Sequence, residues 1–187
     1  MKRLVLFLTV SLLVSLKMMA GSDLKLIKGS VLGLKGSKAT ICAKWDYSNS
    51  TIEKKSIEEF LETKGEEWKR DYPQEIANAE QNFISRLKDK ASKNVTPVEG
   101  DDAEYMIIVK VKNFSYGNTS AAVWVGFGAG DARLWGTLEI YKKGESEPIA
   151  IIEIDGAGGS GYGNEKRRVE CYREIAELLA DILKKGK

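Results

Sequence analysis

The spacing of hydrophobic residues changes several times along the chain, and each change marks a predicted element. Residues 39–47, ATICAKWDY, alternate between apolar and polar positions, which is typical of a strand with one buried face. Ser56 followed by Glu59 is the pattern of a capping box, so a short helix is predicted to begin there. Gly65 is expected to interrupt that helix, because glycine is a poor helix former.

A second, longer helix is predicted to begin between Asp71 and Pro73, since proline suits the first helical position. A one-sided apolar stripe follows at helical spacing and comprises Ile76, Ala79, Phe83, Ile84, Leu87 and Ala91. Such a stripe indicates a helix that packs on a core and does not indicate a cofactor site. The segment KNVTPVEGDD then has the composition of a loop.

The period changes to two after residue 103, which predicts a run of strands. In AEYMIIVKVKNFSYG, alternate residues are apolar and face one side, whereas Lys110 and Lys112 face the other. Residues 121–127 are apolar, and RLWGTLEIY alternates again. KKGESE is predicted to be a hairpin turn, and PIAIIEID a returning strand whose inward residues are Ala150, Ile152 and Ile154.

The last helix is expected to be capped by Asn164. Its apolar stripe comprises Val169, Tyr172, Ile175, Ala176, Leu179, Ile182 and Leu183. A strand, helices, several strands and a final helix predict an α+β fold. Half-exposed strands favour two layers, with amphipathic helices covering one face of a mostly antiparallel sheet, and a mixed sheet remains the alternative.

The first residues have the layout of a secretory signal peptide, because Lys2 and Arg3 precede a short apolar run that Lys17 closes. We therefore expect residues 1–20 to be removed on export, with cleavage after Ala20 or after Ser22 left open. Residues 21–38 are interpreted as a lead segment, and residues 39–187 as one domain. The protein is accordingly expected to be periplasmic or secreted.

Charge argues against several classes of partner. Loss of Lys2, Arg3 and Lys17 leaves 26 of the 29 basic residues against 27 acidic residues, so the exported chain is close to neutral. Such a balance favours neither a nucleic acid nor an anionic membrane as partner, and no integral span is expected after cleavage. The short basic run 166–168 opens the last helix and is interpreted as a solvated helix face.

Cys42 and Cys171 are the only two cysteines. In an oxidising compartment they could form a disulfide that closes a long loop of the chain. Two buried free thiols are the alternative, and the sequence alone leaves both open because it gives no distance between the two residues.

A first glycine-rich stretch, DGAGGSGYGNE, places Gly156, Gly158 and Gly161 in the spacing of a dinucleotide-binding motif. That motif needs a second parallel strand after its helix, and the sequence contains none there. We therefore predict no cofactor and interpret the stretch as a connector between a strand and the last helix. Binding of an anion at the start of that helix stays open.

A second cluster, VGFGAGDAR, contains Gly126, Gly128 and Gly130 but lacks the Lys-Ser/Thr ending of a phosphate-binding loop. It is interpreted as a bulge or close crossing within the sheet. The functional alternative is an aromatic binding patch beside these glycines, formed by Phe114, Tyr116, Trp124 and Phe127. Core aromatics are the competing interpretation.

Enzymatic candidates are few, because the sequence has no histidine, the commonest general base and metal ligand. No zinc spacing occurs, so no metal site is predicted. Glu153 and Asp155 project to one side of a predicted strand, which would suit a polysaccharide hydrolase. A wet strand face explains the same two carboxylates.

The stretch VGFGAGDARLWGTLEIYKKGESEPIAIIEIDGAGGSG, followed by the last helix, resembles a family of small exported bacterial proteins of unknown function. Members carry a GFGAG-type loop, two strands, a glycine-rich turn and a closing helix, and residues 103–183 match that order. More remotely, the layout is similar to the periplasmic domain of curli-secretion and penicillin-binding-protein-activator lipoproteins. The chain departs from those lipoproteins because Cys42, its first cysteine, lies far beyond the cleavage point.

The resemblance implies an envelope protein that binds or assembles with others, and it implies no catalytic residue. Our first hypothesis is therefore an exported, nonenzymatic binding or assembly module with an unidentified envelope partner or ligand. The second is a subunit of an oligomeric ring or pore, in which residues 121–130 help to line the assembly. The third is the polysaccharide hydrolase that uses Glu153 and Asp155.

Overall fold

The computed structural model describes residues 23–117 and 130–186. These residues form an eight-stranded sheet, three α-helices and one 3-10 turn at Leu32–Leu34. The elements are β1 (Leu24–Gly29), β2 (Thr40–Asp46), β3 (Thr51–Ile52), β4 (Lys55–Ser56), α1 (Ile57–Lys64), α2 (Glu66–Ala91), β5 (Thr96–Pro97), β6 (Tyr105–Ser115), β7 (Ala132–Lys142), β8 (Ala150–Gly159) and α3 (Asn164–Lys185). The predicted signal peptide and the apolar segment 121–127 lie outside the described residues.

The sheet has the strand order β1-β8-β7-β6-β2-β5, with β3 and β4 beside the end of β6. Pairing is antiparallel from β1 to β6, and the hairpin between β7 and β8 is the predicted one. β2 runs parallel to both β6 and β5, so the sheet is mixed. The lead segment 21–38 supplies β1, which pairs with β8 and therefore belongs to the sheet.

The helices α2 and α3 pack against each other and cover one face of the sheet, which confirms the α+β prediction. Alternate residues of each long strand point into this layer, as the period of two requires. The buried strand residues include Ile107, Val109, Leu134, Leu138, Ile140, Ala150, Ile152 and Ile154, and the buried residues of α3 include Tyr172, Ile175, Ala176, Leu179 and Leu183. No helix among the described residues is long and apolar enough to cross a membrane.

The helix starts are partly as predicted. The Glu59 N–H donates to Ser56 Oγ at 3.1 Å, and Gly65, at φ 92°, separates α1 from α2. The predicted start of α2 between Asp71 and Pro73 is wrong, because the helix already begins at Glu66 and Pro73 lies inside it. Acidic residues in the first turn favour the early start through the helix dipole. Pro73 has no N–H to donate within the helix, and it is tolerated there because it is exposed to solvent.

The glycine-rich stretch is less of a connector than its composition predicts. Strand β8 continues to Gly159, so only residues 160–163 join it to α3. The predicted cap at Asn164 is wrong, because Gly163 occupies the N-cap position and Asn164 is the first residue of the helix. Gly156, at φ 75°, lies where the β7–β8 register shifts, and the Trp135 ring lies against it. A bulge with a glycine at positive φ keeps the strand going past this point.

Cys42 and Cys171 are both buried and free. Ala43 and Trp45 share one face of β2, and this face is the helix side because the Trp45 ring stacks on Tyr172 of α3. Neighbouring residues of a strand point to opposite faces, so Cys42 points away from the helices. Cys171 lies within the helix layer against Gly159. The sheet therefore separates the two thiols, and both cysteines are buried free thiols in the structure.

Candidate functional site

A cleft of about 520 Å³ opens between the first half of α2 and the start of α3. Its wall contains two aromatic rings, Trp68 and Tyr72, and two amide side chains, Gln74 and Asn164. The charged lining residues are Glu67, Arg70, Asp71, Glu75 and Glu165. Carboxylates outnumber cations in this lining, so the cleft favours a ligand that carries positive charge or hydrogen-bond donors.

A buried ion pair fixes the wall of this cleft. Arg168, on the first turns of α3, has a side chain that is 1% exposed, and its Nε donates to Glu75 Oε1 at 2.5 Å. Its second guanidinium nitrogen donates to the Tyr116 hydroxyl at 2.6 Å, and that hydroxyl donates to Glu75 Oε1 at 2.7 Å. The three groups satisfy one another, which offsets the cost of removing their charges from water.

Aromatic rings enclose the Arg168 guanidinium on several sides. Its central carbon lies 4.0 Å from the Phe114 ring centroid, 5.0 Å from that of Tyr116 and 5.2 Å from that of Tyr72. Cation–π attraction in a desolvated setting adds to the ion pair. Burial also raises the pKa of Tyr116, so its hydroxyl stays protonated and continues to donate to Glu75.

Arg167 ties the start of α3 to the neighbouring chain segments. Its Nε donates to the Gly161 carbonyl at 3.0 Å, and its terminal nitrogen donates to the Tyr116 carbonyl at 2.9 Å. The interpretation of residues 166–168 as a solvated face is therefore wrong for Arg167 and Arg168, which are 4% and 1% exposed. The sequence held one signal, because Arg168 falls four residues before Tyr172 on the buried stripe of α3.

The predicted aromatic patch is only partly described. Phe114 and Tyr116 are core residues, at 1% and 6% exposure, and they contact the buried Arg168. Trp124, Phe127, Gly126 and Gly128 lie outside the described residues, so their role in binding stays a prediction.

Gly130, the last residue of that predicted set, is described and has a φ of 91°. Its carbonyl oxygen is packed against Gly117, so closely that a side chain at position 117 would overlap it. The two ends of the β6–β7 connection thus meet directly after Tyr116. Gly130, the one glycine of that cluster within the described residues, therefore lies against Gly117, which directly follows Tyr116 in the chain.

Glu153 and Asp155, the candidate hydrolase pair, are both exposed on the face of the sheet opposite the helices. Glu153 lies between Lys25 and Thr137 in the strand register, and Asp155 lies beside Trp135. The structure thus places them on a wet strand face and away from the cleft. Gly156 and Gly158 lie within β8, so the dinucleotide-like spacing does not form a turn before a helix.

A second cavity system lies on the other flank of α2, above β2. Two spaces of about 390 Å³ each share Ala77 and Glu80 as lining residues, and we call them together the α2–β2 groove. Its remaining lining residues are Ala43, Trp45, Tyr47, Ile57, Tyr72, Pro73, Ile76, Gln81, Ile84 and Glu99. Apart from its two carboxylates, the groove is mainly apolar.

The Glu80 carboxylate accepts a hydrogen bond from the Tyr47 hydroxyl at 2.8 Å, and that hydroxyl lies 3.0 Å from the hydroxyl of Tyr172. Burial raises the pKa of Glu80, and the bond from Tyr47 lowers it by less. The charged form is therefore less stable here than in the unfolded chain. The protonated Glu80 carboxyl therefore contributes stability that is fully present below the unfolded pKa and is lost as the pH rises through the folded pKa.

We expect Glu80→Gln to gain stability relative to the wild type as the pH rises from about 4 to about 7, because glutamine stays neutral and still accepts from Tyr47. Urea unfolding of both proteins at several pH values measures the difference. Asp89→Asn, at an exposed position of the same helix, is the control. A difference between Glu80→Gln and the wild type that stays constant with pH would contradict the prediction.

No protein-family model and no curated protein matches this sequence. Among solved structures, the chain is similar to the PelC dodecamer from Paraburkholderia phytofirmans in space group P6, with 11% identity and a TM-score of 0.44. That alignment covers 83% of this chain and 96% of the PelC chain. A PelC variant dodecamer from the same organism, in space group C2, gives 12% identity and the same TM-score, over 83% of this chain and 95% of that one. Likeness at this level assigns neither a family nor a function.

Proposed function

We propose that this chain is an exported, nonenzymatic binding or assembly module of the cell envelope, and that the cleft between α2 and α3 is its binding site. The observation that carries the proposal is the buried network of Arg168, Glu75 and Tyr116 beneath the cleft wall. Export itself rests on the signal-like first residues and on the family resemblance of residues 103–183.

The network supports binding because it fixes the cleft before any ligand arrives. Glu75 and Tyr72 line the cleft and also contact Arg168, so their positions are set by a residue of another helix. A preformed site loses less conformational entropy when a ligand binds. The network is less suited to proton transfer with a ligand, since the Glu75 carboxylate and the Tyr116 hydroxyl already form hydrogen bonds with Arg168.

The lining indicates what kind of ligand fits. Asp71 is paired with Arg70, which keeps the pKa of Asp71 low and its carboxylate charged. Glu67 lies 4.0 Å from the same arginine, and Glu165 accepts from the Asn78 amide at 2.6 Å. Each of these rim carboxylates can accept further hydrogen bonds from a ligand, and the rings of Trp68 and Tyr72 lie in the same wall of the cleft. A partner that presents a basic group on an apolar stem matches this arrangement.

The test is capture of partners from envelope extract by three immobilised proteins. Glu67→Lys reverses an exposed charge of the cleft without touching the buried network, and Glu145→Lys makes the same change in the exposed turn between β7 and β8. We expect the species retained by the wild type to be retained by Glu145→Lys and to fall at least about tenfold with Glu67→Lys, as for loss of one interfacial charge contact. Equal retention by all three proteins, or none by any, would refute the cleft as the site.

A second candidate is the ring or pore subunit, and one observation favours it. Both sides of the sheet end in a strand with an unpaired edge, β1 on one side and most of β2 on the other, within the described part of the chain. Free edges of one continuous sheet permit assembly by strand pairing between copies.

A further inference from the structure

The outer edge of β2 is open over most of its length. β5 pairs only with Thr40 and Ile41, so residues 42–46 have a strand neighbour on the β6 side alone among the described residues. The carbonyls of Ala39 and Ile41 accept bonds from the β5 side. Because backbone groups alternate along a strand, those of Ala43 and Trp45 point to the same outer side and have no backbone partner in the described chain.

This open edge borders the α2–β2 groove. The groove floor is formed by Ala43 and Trp45 of the same strand and by Tyr47 directly after it, and its wall by α2. Its carboxylates are Glu80, which accepts from Tyr47, and the exposed Glu99, which lies 3.6 Å from the Lys88 ammonium. The site therefore offers unpaired backbone groups beside an apolar trough that contains two carboxylates. Unpaired strand groups and an adjacent trough are the elements of recognition by strand addition.

The opposite edge of the same sheet carries complementary features. β1 has six residues, with lysines at positions 25 and 28 and no acidic residue. Ile27 lies at the bulge of β1 and is 51% exposed, and Leu32, in the turn that follows, is 63% exposed. These two are among the three most exposed large apolar side chains of the described residues. The β1 edge thus presents two lysines and two exposed apolar side chains, whereas the groove beside the β2 edge is apolar and holds two carboxylates against the single cation Lys88.

We propose that the occupant of the β2 edge is the β1 edge of a second copy of this chain. The lengths agree, since six residues of β1 meet the five open residues 42–46. The two surfaces differ, so the contact is head-to-tail and each added copy leaves one free edge of each kind, which closes into a ring or extends into a filament. The inference rests on the proposed function, because it gives the mechanism by which an assembly module would assemble.

The first test measures mass by light scattering and sedimentation over a wide range of protein concentration. We expect the wild type to form oligomers and Ile27→Asp to stay a single protomer, because the charge removes the apolar contact from the β1 edge. Ala77→Arg places bulk and positive charge in the groove from an exposed helix position and is expected to have the same effect. Tyr162→Asp and Ser85→Arg make matched changes at exposed positions that belong neither to β1 nor to the lining of the groove, and they should leave the oligomers intact.

A mixing experiment identifies which edges meet. Ile27→Asp keeps a functional β2 edge and Ala77→Arg keeps a functional β1 edge, so an equimolar mixture should form a dimer of one copy of each and nothing larger. Ala43→Pro provides an independent block of the β2 edge, because proline there removes an N–H that points outward and leaves the bonds to β6 intact. Circular dichroism of each variant verifies that its fold is retained.

Three results would overturn the inference. The first is a wild type that remains a single protomer at every concentration, and the second is an oligomer that survives Ile27→Asp and Ala77→Arg. The third is a wild type that stays monomeric but binds a synthetic extended peptide of alternating apolar and lysine residues, with binding that Ala77→Arg abolishes. That result would assign the β2 edge to a different protein and not to a second copy of this chain. A chain that stays monomeric yet loses its captured partner with Glu67→Lys would retain the proposed function while this inference fails.

Discussion

Replacement of Arg168 by methionine is expected to lower the free energy of unfolding by about 3–5 kcal/mol, because it breaks a buried ion pair. The guanidinium is buried and donates to both Glu75 and Tyr116, so its removal leaves the Glu75 carboxylate without its cation in a poorly solvated place. Methionine fills a similar volume, which separates the loss of charge from the loss of packing. Chemical denaturation followed by circular dichroism measures the change.

Two companion variants make this prediction specific to the ion pair. Lys166→Met alters an exposed cation on the same turn of α3 and should change stability by no more than about 0.5 kcal/mol. Combining Arg168→Met with Glu75→Gln removes both charges and keeps an acceptor for Tyr116, so the double variant should be more stable than the sum of the single effects by about 0.5–3 kcal/mol. Strict additivity of the two substitutions would contradict the network as described.

Gly159→Ala is expected to destabilise the protein by about 1–3 kcal/mol, because it introduces a methyl group where α3 crosses β8. A Cβ at position 159 would overlap the Arg167 carbonyl oxygen and lie 2.6 Å from both the backbone nitrogen and the Sγ of Cys171. These are mostly backbone atoms of a buried helix, which yield only if the whole start of α3 moves away from the sheet. The same movement would disturb Arg167 and Arg168, which hold the cleft wall.

The adjacent glycine is the matched control. A Cβ at Gly158 meets no atom within 4 Å, and the residue does not lie at positive φ, so Gly158→Ala should change stability by no more than about 0.5 kcal/mol. Thermal and urea unfolding of both alanine variants beside the wild type gives the comparison. Similar stabilities for the two variants would mean that the helix and the strand are not in close contact at Gly159.

The position of Gly159 also changes how the stretch DGAGGSGYGNE is understood. Composition favours a flexible connector, because glycine is unrestricted in φ and a helix follows. The structure uses these glycines in different ways: Gly156 permits a bulge beside Trp135, Gly159 permits close contact with α3, and only residues 160–163 connect the two elements. A glycine selected for packing and one selected for flexibility are indistinguishable in a sequence.

Local pattern was sufficient for most of the elements. Alternation located β2, β6, β7 and β8. The predicted stripe of α3 gave Tyr172, Ile175, Ala176, Leu179 and Leu183 correctly as buried, whereas Ile182 is only half-buried. The cap at Ser56 and the break at Gly65 followed from side-chain and backbone preferences of single residues. These features depend on neighbours within a few positions, so the sequence contains the information directly.

The site could not be obtained in the same way. Residues 166–168 have the composition of a solvated helix end, and burial of Arg168 depends on Glu75 and Tyr116, which are 93 and 52 residues away in the chain. Position 168 does continue the buried stripe of α3. An arginine there is nevertheless predicted to be exposed, because a charged side chain is rarely buried without a partner. The parallel pairing of β2 with β6 depends likewise on how the helices between them cross the sheet.

The sequence by itself determined the α+β class, most of the elements and the apolar faces that form the core, since each follows from periodicity and short-range preference. Only the tertiary structure decided which charges are buried, which strand edges are left unpaired and that the sheet separates Cys42 from Cys171. The physical reason is that burial and strand pairing are properties of distant segments brought together. Their free energy belongs to contacts that no single stretch of the chain contains.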